Sequence, residues 1–198
     1  LRACCVRVVG RHASRTERPR FRAVCAAAAS TPAAKQHCAV HSVGGTISQH
    51  VKEHRLHADI RQGDRAFYFS TCGWMMWNWL VSCLMAGATA IVYEGSPFYP
   101  GPERLWEMAE TEKLSLFGTS AKYLDAVRKE GVIPANIADL SALRTLCSTG
   151  SPLSEEGFDF VYEGIKSDIH LSSISGGTDL MACFRLGCPV FPGFAGEL

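Results

Sequence analysis

The stretch "LSLFGTSAKYLDAVRKEG" (114–131), with "LRTLCSTGSPLSEEGFDFVYEGI" (143–165) and "IHLSSISGGTDL" (169–180) after it, decides the fold. Short apolar runs alternate in it with amphipathic ones. "LSLF" (114–117), "LRTLCS" (143–148) and "IHLSSI" (169–174) have the length and apolar content of strands. "AKYLDAVRKEG" reads as a helix, capped by Gly118-Thr119-Ser120 and stopped at Gly131. Ser154 caps the next helix, with Glu155 and Glu156 at its positive end. Phe158, Val161, Tyr162 and Ile165 form the stripe that this helix is expected to bury.

The same alternation extends upstream. "TAIVY" (89–93) is a β-branched run ended by the turn Glu94-Gly95-Ser96-Pro97. "PERLWEMAETEK" (102–113) starts on proline and places Leu105, Trp106, Met108 and Ala109 at helical spacing. "RAFYFST" (65–71) reads as a strand, "WMMWNWLVSCLMAGA" (74–88) as a buried helix on the sheet, and Gln49 to His57 as helical. Strand, helix, strand, helix means βαβ units, so the fold class is α/β, a mainly parallel sheet flanked by helices. Ligands of such sheets sit beyond the carboxyl ends of the strands. Three segments rich in Gly, Ser and Thr are expected there: Gly118 to Ser120, Ser148 to Leu153, and Ser175 to Asp179. Backbone amides in such segments hold oxyanions, which suits a nucleotide or a phosphorylated ligand; the same composition also makes ordinary turns.

Composition bounds the rest. The 198 residues are 47 % hydrophobic, enough to bury a sizeable core, and the net charge of +1 makes no case for nucleic acid. No run of 18 apolar residues exists, so no membrane span is expected. The charge is uneven. Residues 1–38 hold eight Lys/Arg and one acid, and residues 39–198 hold twelve and eighteen. Residues 1–38 are expected to be an atypical basic leader without fixed fold or targeting role, although an Arg-rich, acid-poor stretch resembles a transit peptide. The nine cysteines form no C-x-x-C pair. Cys83 and Cys147 sit in apolar runs and are expected to be buried thiols, as in a reducing, cytosolic setting.

Two motifs carry chemistry. "HVKEH" (50–54) matches H-x-x-E-H, the inverted zinc-protease pattern, and His57 extends the same face. The expectation taken here is instead a solvated amphipathic face shared with Lys52 and Arg55. In "ISGGTDL" (174–180) a Thr hydroxyl beside a carboxylate offers hard oxygen ligands to phosphate-bound Mg²⁺, or simply a turn capped by Asp179.

"HSVGGTISQHVKEH", "FSTCGWMMWNWLVS", "YEGSPFYPGPERLWE", "STGSPLSEEGFDFVY" and "SISGGTDL", in that order, resemble the adenylate-forming acyl-CoA ligase family, and within it the branch that activates acetoacetate. The resemblance runs from about Val40 to Leu198. It implies part of the family's large N-terminal domain over 39–198, and a cytosolic ligase using ATP, Mg²⁺ and coenzyme A. Such an enzyme makes an acyl-adenylate and passes the acyl group to the thiol. By resemblance Gly150, Ser151 and Pro152 contact adenine, where the family usually has Glu in the middle. Gly177 and Thr178 lie at the ATP phosphates, Thr178 and Asp179 are catalytic, and Asp179 holds Mg²⁺ where Glu is usual. Trp74, Met75 and Met76 line the acyl pocket. Gly176 replaces the Trp of acetate-activating members, and is expected to open the floor of that pocket for a longer acid.

The resemblance also implies parts that this sequence does not show. A Gly/Ser/Thr-rich phosphate loop ending in Pro-Lys is expected shortly before His41, where "AAAASTPAAKQHCAV" (26–40) stands without glycine and Lys35 does not fit. The ribose-binding Asp, the hinge and the small C-terminal domain with its lysine are expected beyond Leu198. The 198 residues alone are therefore expected to be inactive. A ligase for another short acid, a non-catalytic binding remnant and, distantly, a metalloprotease are the rival readings.

Overall fold

The computed structural model describes residues 23–28 and 37–196, with side chains from residue 40 onward. It opens on an antiparallel pair, β1 (Ala23–Ala28) with β2 (His37–Ser42). β1 and the start of β2 fall within the expected leader 1–38; the rest of that leader, Lys35 included, lies outside the described residues. Next comes α1 (Val43–Lys52), capped by the Ser42 hydroxyl, which accepts from the Gly45 N–H. This start lies six residues before the expected one at Gln49. Gly44 and Gly45 in the first turn hid it, since glycine costs a helix about 1 kcal/mol relative to alanine. A single π-helical turn (Glu53–His57) continues the helix.

β3 (Arg65–Tyr68) leads to α2 (Met75–Ser82), which tightens into a 3₁₀ turn and stops at Gly87 in the left-handed conformation (φ 80°). β4 (Thr89–Ile91), α3 (Arg104–Thr111), β5 (Leu116–Ser120), α4 (Ala121–Lys129), β6 (Thr145–Thr149), α5 (Glu155–Gly164) and β7 (His170–Ser173) then alternate as expected. A short hairpin, β8 (Ser175–Gly177) with β9 (Ala182–Arg185), closes the described chain.

The central sheet has the order β4-β3-β5-β6-β7, and every pairing in it is parallel. Phe67, Phe117 and Leu146 share one register row; Tyr68, Gly118 and Cys147 share the next. Alternate residues point to opposite faces, so the sheet feeds two cores. Phe67, Phe117 and Leu146 pack beneath α3, α4 and α5, with Leu105, Trp106, Leu124 and Val161. Trp106 stacks on Phe117 at 4.6 Å and 11°. Ala66, Tyr68, Leu116 and Cys147 pack on the other face against Met75, Met76, Trp79 and Leu80 of α2. Cys83 and Cys147 are buried thiols, as expected. Tyr162 is not in the buried stripe. It sits at the stripe's edge, 38 % exposed, while Phe158, Val161 and Ile165 are covered. Among the described residues no helix is long and apolar enough to cross a membrane.

Candidate functional site

The carboxyl ends of β6 and β7 open into a cavity of about 280 Å³. One wall is the turn after β6, Thr149 to Pro152. The second runs from Ile174 to Thr178. The third is Trp74, Met75 and Met76 at the start of α2, met by Cys183 of β9. The first two walls are tied together: the Thr149 hydroxyl donates to the Ile174 carbonyl at 2.9 Å, and the Ile174 N–H donates to the Ser148 carbonyl at 2.7 Å. Gly150 has φ +90°, a conformation that favours glycine and turns the chain across the strand end. Trp74 sits in extended conformation just before α2, its ring edge-on to Tyr68 at 6.1 Å.

The cavity therefore brings together Trp74, Met75, Met76, Gly150, Ser151, Pro152, Gly176, Gly177 and Thr178. Asp179 stands outside it, exposed, with a carboxylate oxygen turned over Gly177; a Cβ on that glycine would lie 2.6 Å from it. Thr178 lines the cavity and Asp179 stands just outside it; their oxygens are of the hard type that suits a phosphate-bound Mg²⁺. Gly118 to Ser120 belongs to β5 rather than to the cavity. The Tyr68 ring covers the place where a Cβ on Gly118 would go, Thr119 is fully buried, and Ser120 caps α4 through the Tyr123 N–H.

Gly176 lines the cavity, but for a reason other than an open floor. A Cβ there would lie 2.5 Å from the Ala182 carbonyl oxygen and 3.0 Å from the Cys183 Cα. Backbone cannot yield as a flexible side chain can, so this glycine is set by the close approach of β9, at the irregular Ser175/Gly176 step of the hairpin. A tryptophan built there would run into β9 before it reached the acyl space.

"HVKEH" departs most from expectation. Lys52 and Arg55 are exposed, but His50 and Glu53 are 1 % exposed and His54 not at all. Glu53 accepts from the Trp79 indole N–H (2.9 Å), the Cys183 backbone N–H (3.0 Å) and the Gln49 amide (2.9 Å). His50 Nδ1 and His54 Nε2 both reach the Ser82 hydroxyl, at 2.9 and 2.8 Å, and His50 Nε2 lies 2.8 Å from the Met181 carbonyl. Burial, then the nearby His50, lowers the pKa of His54 from 6.5 to about 3. No group of three or more His, Cys, Asp or Glu among the described residues is placed to hold a metal ion, so the zinc-protease reading fails. Cys183, which sequence reasoning did not single out, is pushed up to about 12 by burial and then by Glu53. Its thiol stays protonated and serves as wall, not nucleophile.

A parallel sheet with a Gly/Ser/Thr-lined cavity at its carboxyl edge defines a class, and comparison fixes it. Residues 34–190 match the family model described as AMP-binding enzyme, and the chain belongs to that family. It is 61 % identical over 161 residues to the acetoacetyl-coenzyme A synthetase of Rhizobium meliloti (strain 1021), covering 81 % of this chain and 25 % of that protein. It is 39 % identical over 175 residues to a malonamoyl-CoA synthetase of Penicillium aethiopicum, covering 81 % of this chain and 24 % of that one. A solved acetoacetyl-CoA synthetase from Streptomyces lividans superposes with a TM-score of 0.79 at 43 % identity, over 82 % of this chain and 26 % of that one. The chain spans about a quarter of the length of the curated relatives it matches.

Proposed function

We propose that this protein activates acetoacetate to its coenzyme A thioester at the expense of ATP, through an acyl-adenylate, in the cytosol. The observation that carries the reading is that the adenine turn (Gly150, Ser151, Pro152) and the acyl segment (Trp74, Met75, Met76) line one cavity. Adenine lies against that turn, where small side chains leave the backbone free to bond its edge. The phosphates lie at Gly177 and Thr178. Mg²⁺, when bound, neutralises phosphate charge; Asp179 would hold it, with Thr178 beside it. The acyl chain points toward Trp74, Met75 and Met76, with Gly176 beneath. An acid carboxylate attacks the α-phosphorus and pyrophosphate leaves. The coenzyme A thiol then attacks the acyl carbonyl and AMP leaves. The described residues contribute position and charge stabilisation, with no covalent enzyme intermediate. Isolated residues 1–198, a quarter of the relatives' length, are expected to form no thioester.

A second substrate is favoured by the malonamoyl-CoA relative. Malonamate has the shape of acetoacetate with an amide nitrogen in place of the terminal methyl. The Trp74, Met75 and Met76 wall favours the methyl, because an amide donor left unpaired there costs about 1–3 kcal/mol. Acid-dependent exchange of pyrophosphate into ATP, measured on the protein as it occurs in its source, separates the readings. Acetoacetate is expected to exceed malonamate and acetate at least tenfold in kcat/KM. Preference for malonamate would replace the substrate, and exchange with no acid would leave a binding protein.

A further inference from the structure

The buried motif "HVKEH" belongs neither to the cavity nor to a metal, and its place in the molecule points elsewhere. Its three inward side chains stand behind two cavity walls. One Glu53 oxygen accepts from Trp79, on the helix whose first turn carries Met75 and Met76. The other accepts from the N–H of Cys183, which lines the cavity and pairs with Gly176 across the hairpin. One carboxylate therefore bridges the Trp74–Met76 wall and the Gly176–Cys183 wall from behind. Its bonded partners are three uncharged N–H donors, which suffice to hold a buried carboxylate.

A second tie runs beside it. The Met181 carbonyl can only accept, so His50 Nε2–H donates to it at 2.8 Å. The Ser82 hydroxyl donates to the Trp79 carbonyl at 2.7 Å, and its oxygen meets His50 Nδ1 and His54 Nε2 at 2.9 and 2.8 Å. Together these contacts link the end of α2 to the chain entering β9.

We propose that Glu53 is a positioning residue for the acyl end of the cavity, setting the distance between the Trp74–Met76 wall and the Gly176–Cys183 wall. Selection among acids of different length then depends on a residue that touches none of them. This rests on the functional reading above. Geometry explains the need: a reacting group misplaced by about 1 Å can cost about a hundredfold in rate. It also explains why the residue is a carboxylate, since it must accept on both oxygens. Glutamine would turn an NH₂ donor toward either the Trp79 or the Cys183 donor.

The test compares wild type, Glu53→Gln and the milder Trp79→Phe in the protein as it occurs in its source. Wild-type preference for acetoacetate over acetate is expected to shrink about tenfold or more in Glu53→Gln, mainly through KM for the acid, with KM for ATP within about twofold. Trp79→Phe should move the same way by less, and it decides the matter if Glu53→Gln does not fold. Amide hydrogen exchange supplies a readout independent of substrate: faster exchange at 74–76 and 181–183, unchanged in β5 and β6. A preference ratio equal to wild type, or unchanged exchange at both walls, overturns the proposal. A wild type that activates no acid overturns the functional reading instead, and the exchange pattern still decides the role of Glu53.

Discussion

At the scale of single residues, His54 gives the protein a calculable acid sensitivity. In the fold it stays neutral down to a pKa of about 3, whereas an unfolded histidine titrates at 6.5. Below pH 6.5 the unfolded state therefore binds a proton that the folded state refuses. The contribution of His54 is fully present above that pH and is lost as pH falls toward 3, by up to about 1.4 kcal/mol per pH unit. His54→Gln keeps a donor for Ser82 and removes the titration. Between pH 7.5 and 5, urea unfolding of the wild type should lose about 2 kcal/mol more than unfolding of the variant. Parallel pH profiles would show that His54 is not held neutral. Its burial was not legible in the sequence: His50, Glu53 and His54 share a helical face whether that face meets water or Trp79 and Ser82. Gly176 taught a similar lesson. Its presence at the cavity was readable from the motif, but what fixes it is a strand that begins six residues downstream, which spacing does not report.

At the scale of elements, α2 and α3 were legible from their apolar spacing although neither has a side-chain cap, whereas the start of α1 was missed although Ser42 caps it. Ser120 and Ser154 announce α4 and α5, and both caps form. Ser154 accepts from the Gly157 N–H at 3.2 Å, so Ser154→Ala should lower stability by about 1 kcal/mol. A thermal midpoint a few degrees lower checks this; no change would mean that Glu155 and Glu156 alone hold the helix start. The β8–β9 hairpin escaped notice because two of the three β8 residues are glycine, which carries no strand propensity. The start of α1 was hidden in the same way by Gly44 and Gly45.

At the scale of the whole molecule, five parallel strands were readable from alternation alone, and so was the edge at which a ligand belongs. Alternation could not say which strand-end segments converge. Gly118 to Ser120 has the composition of a ligand loop but is occupied by Tyr68 and α4. The turn after β6 and the segment after β7 converge because Thr149 and Ser148 bond to Ile174. The central claim is that one cavity seats both ends of an acyl-adenylate. Its most direct test is a crystal structure of the protein with a non-hydrolysable acetoacetyl-adenylate analogue. The account predicts adenine against Gly150, Ser151 and Pro152, and the acyl end against Trp74, Met75 and Met76. Adenine seated elsewhere, or an acyl end turned away from α2, would contradict it.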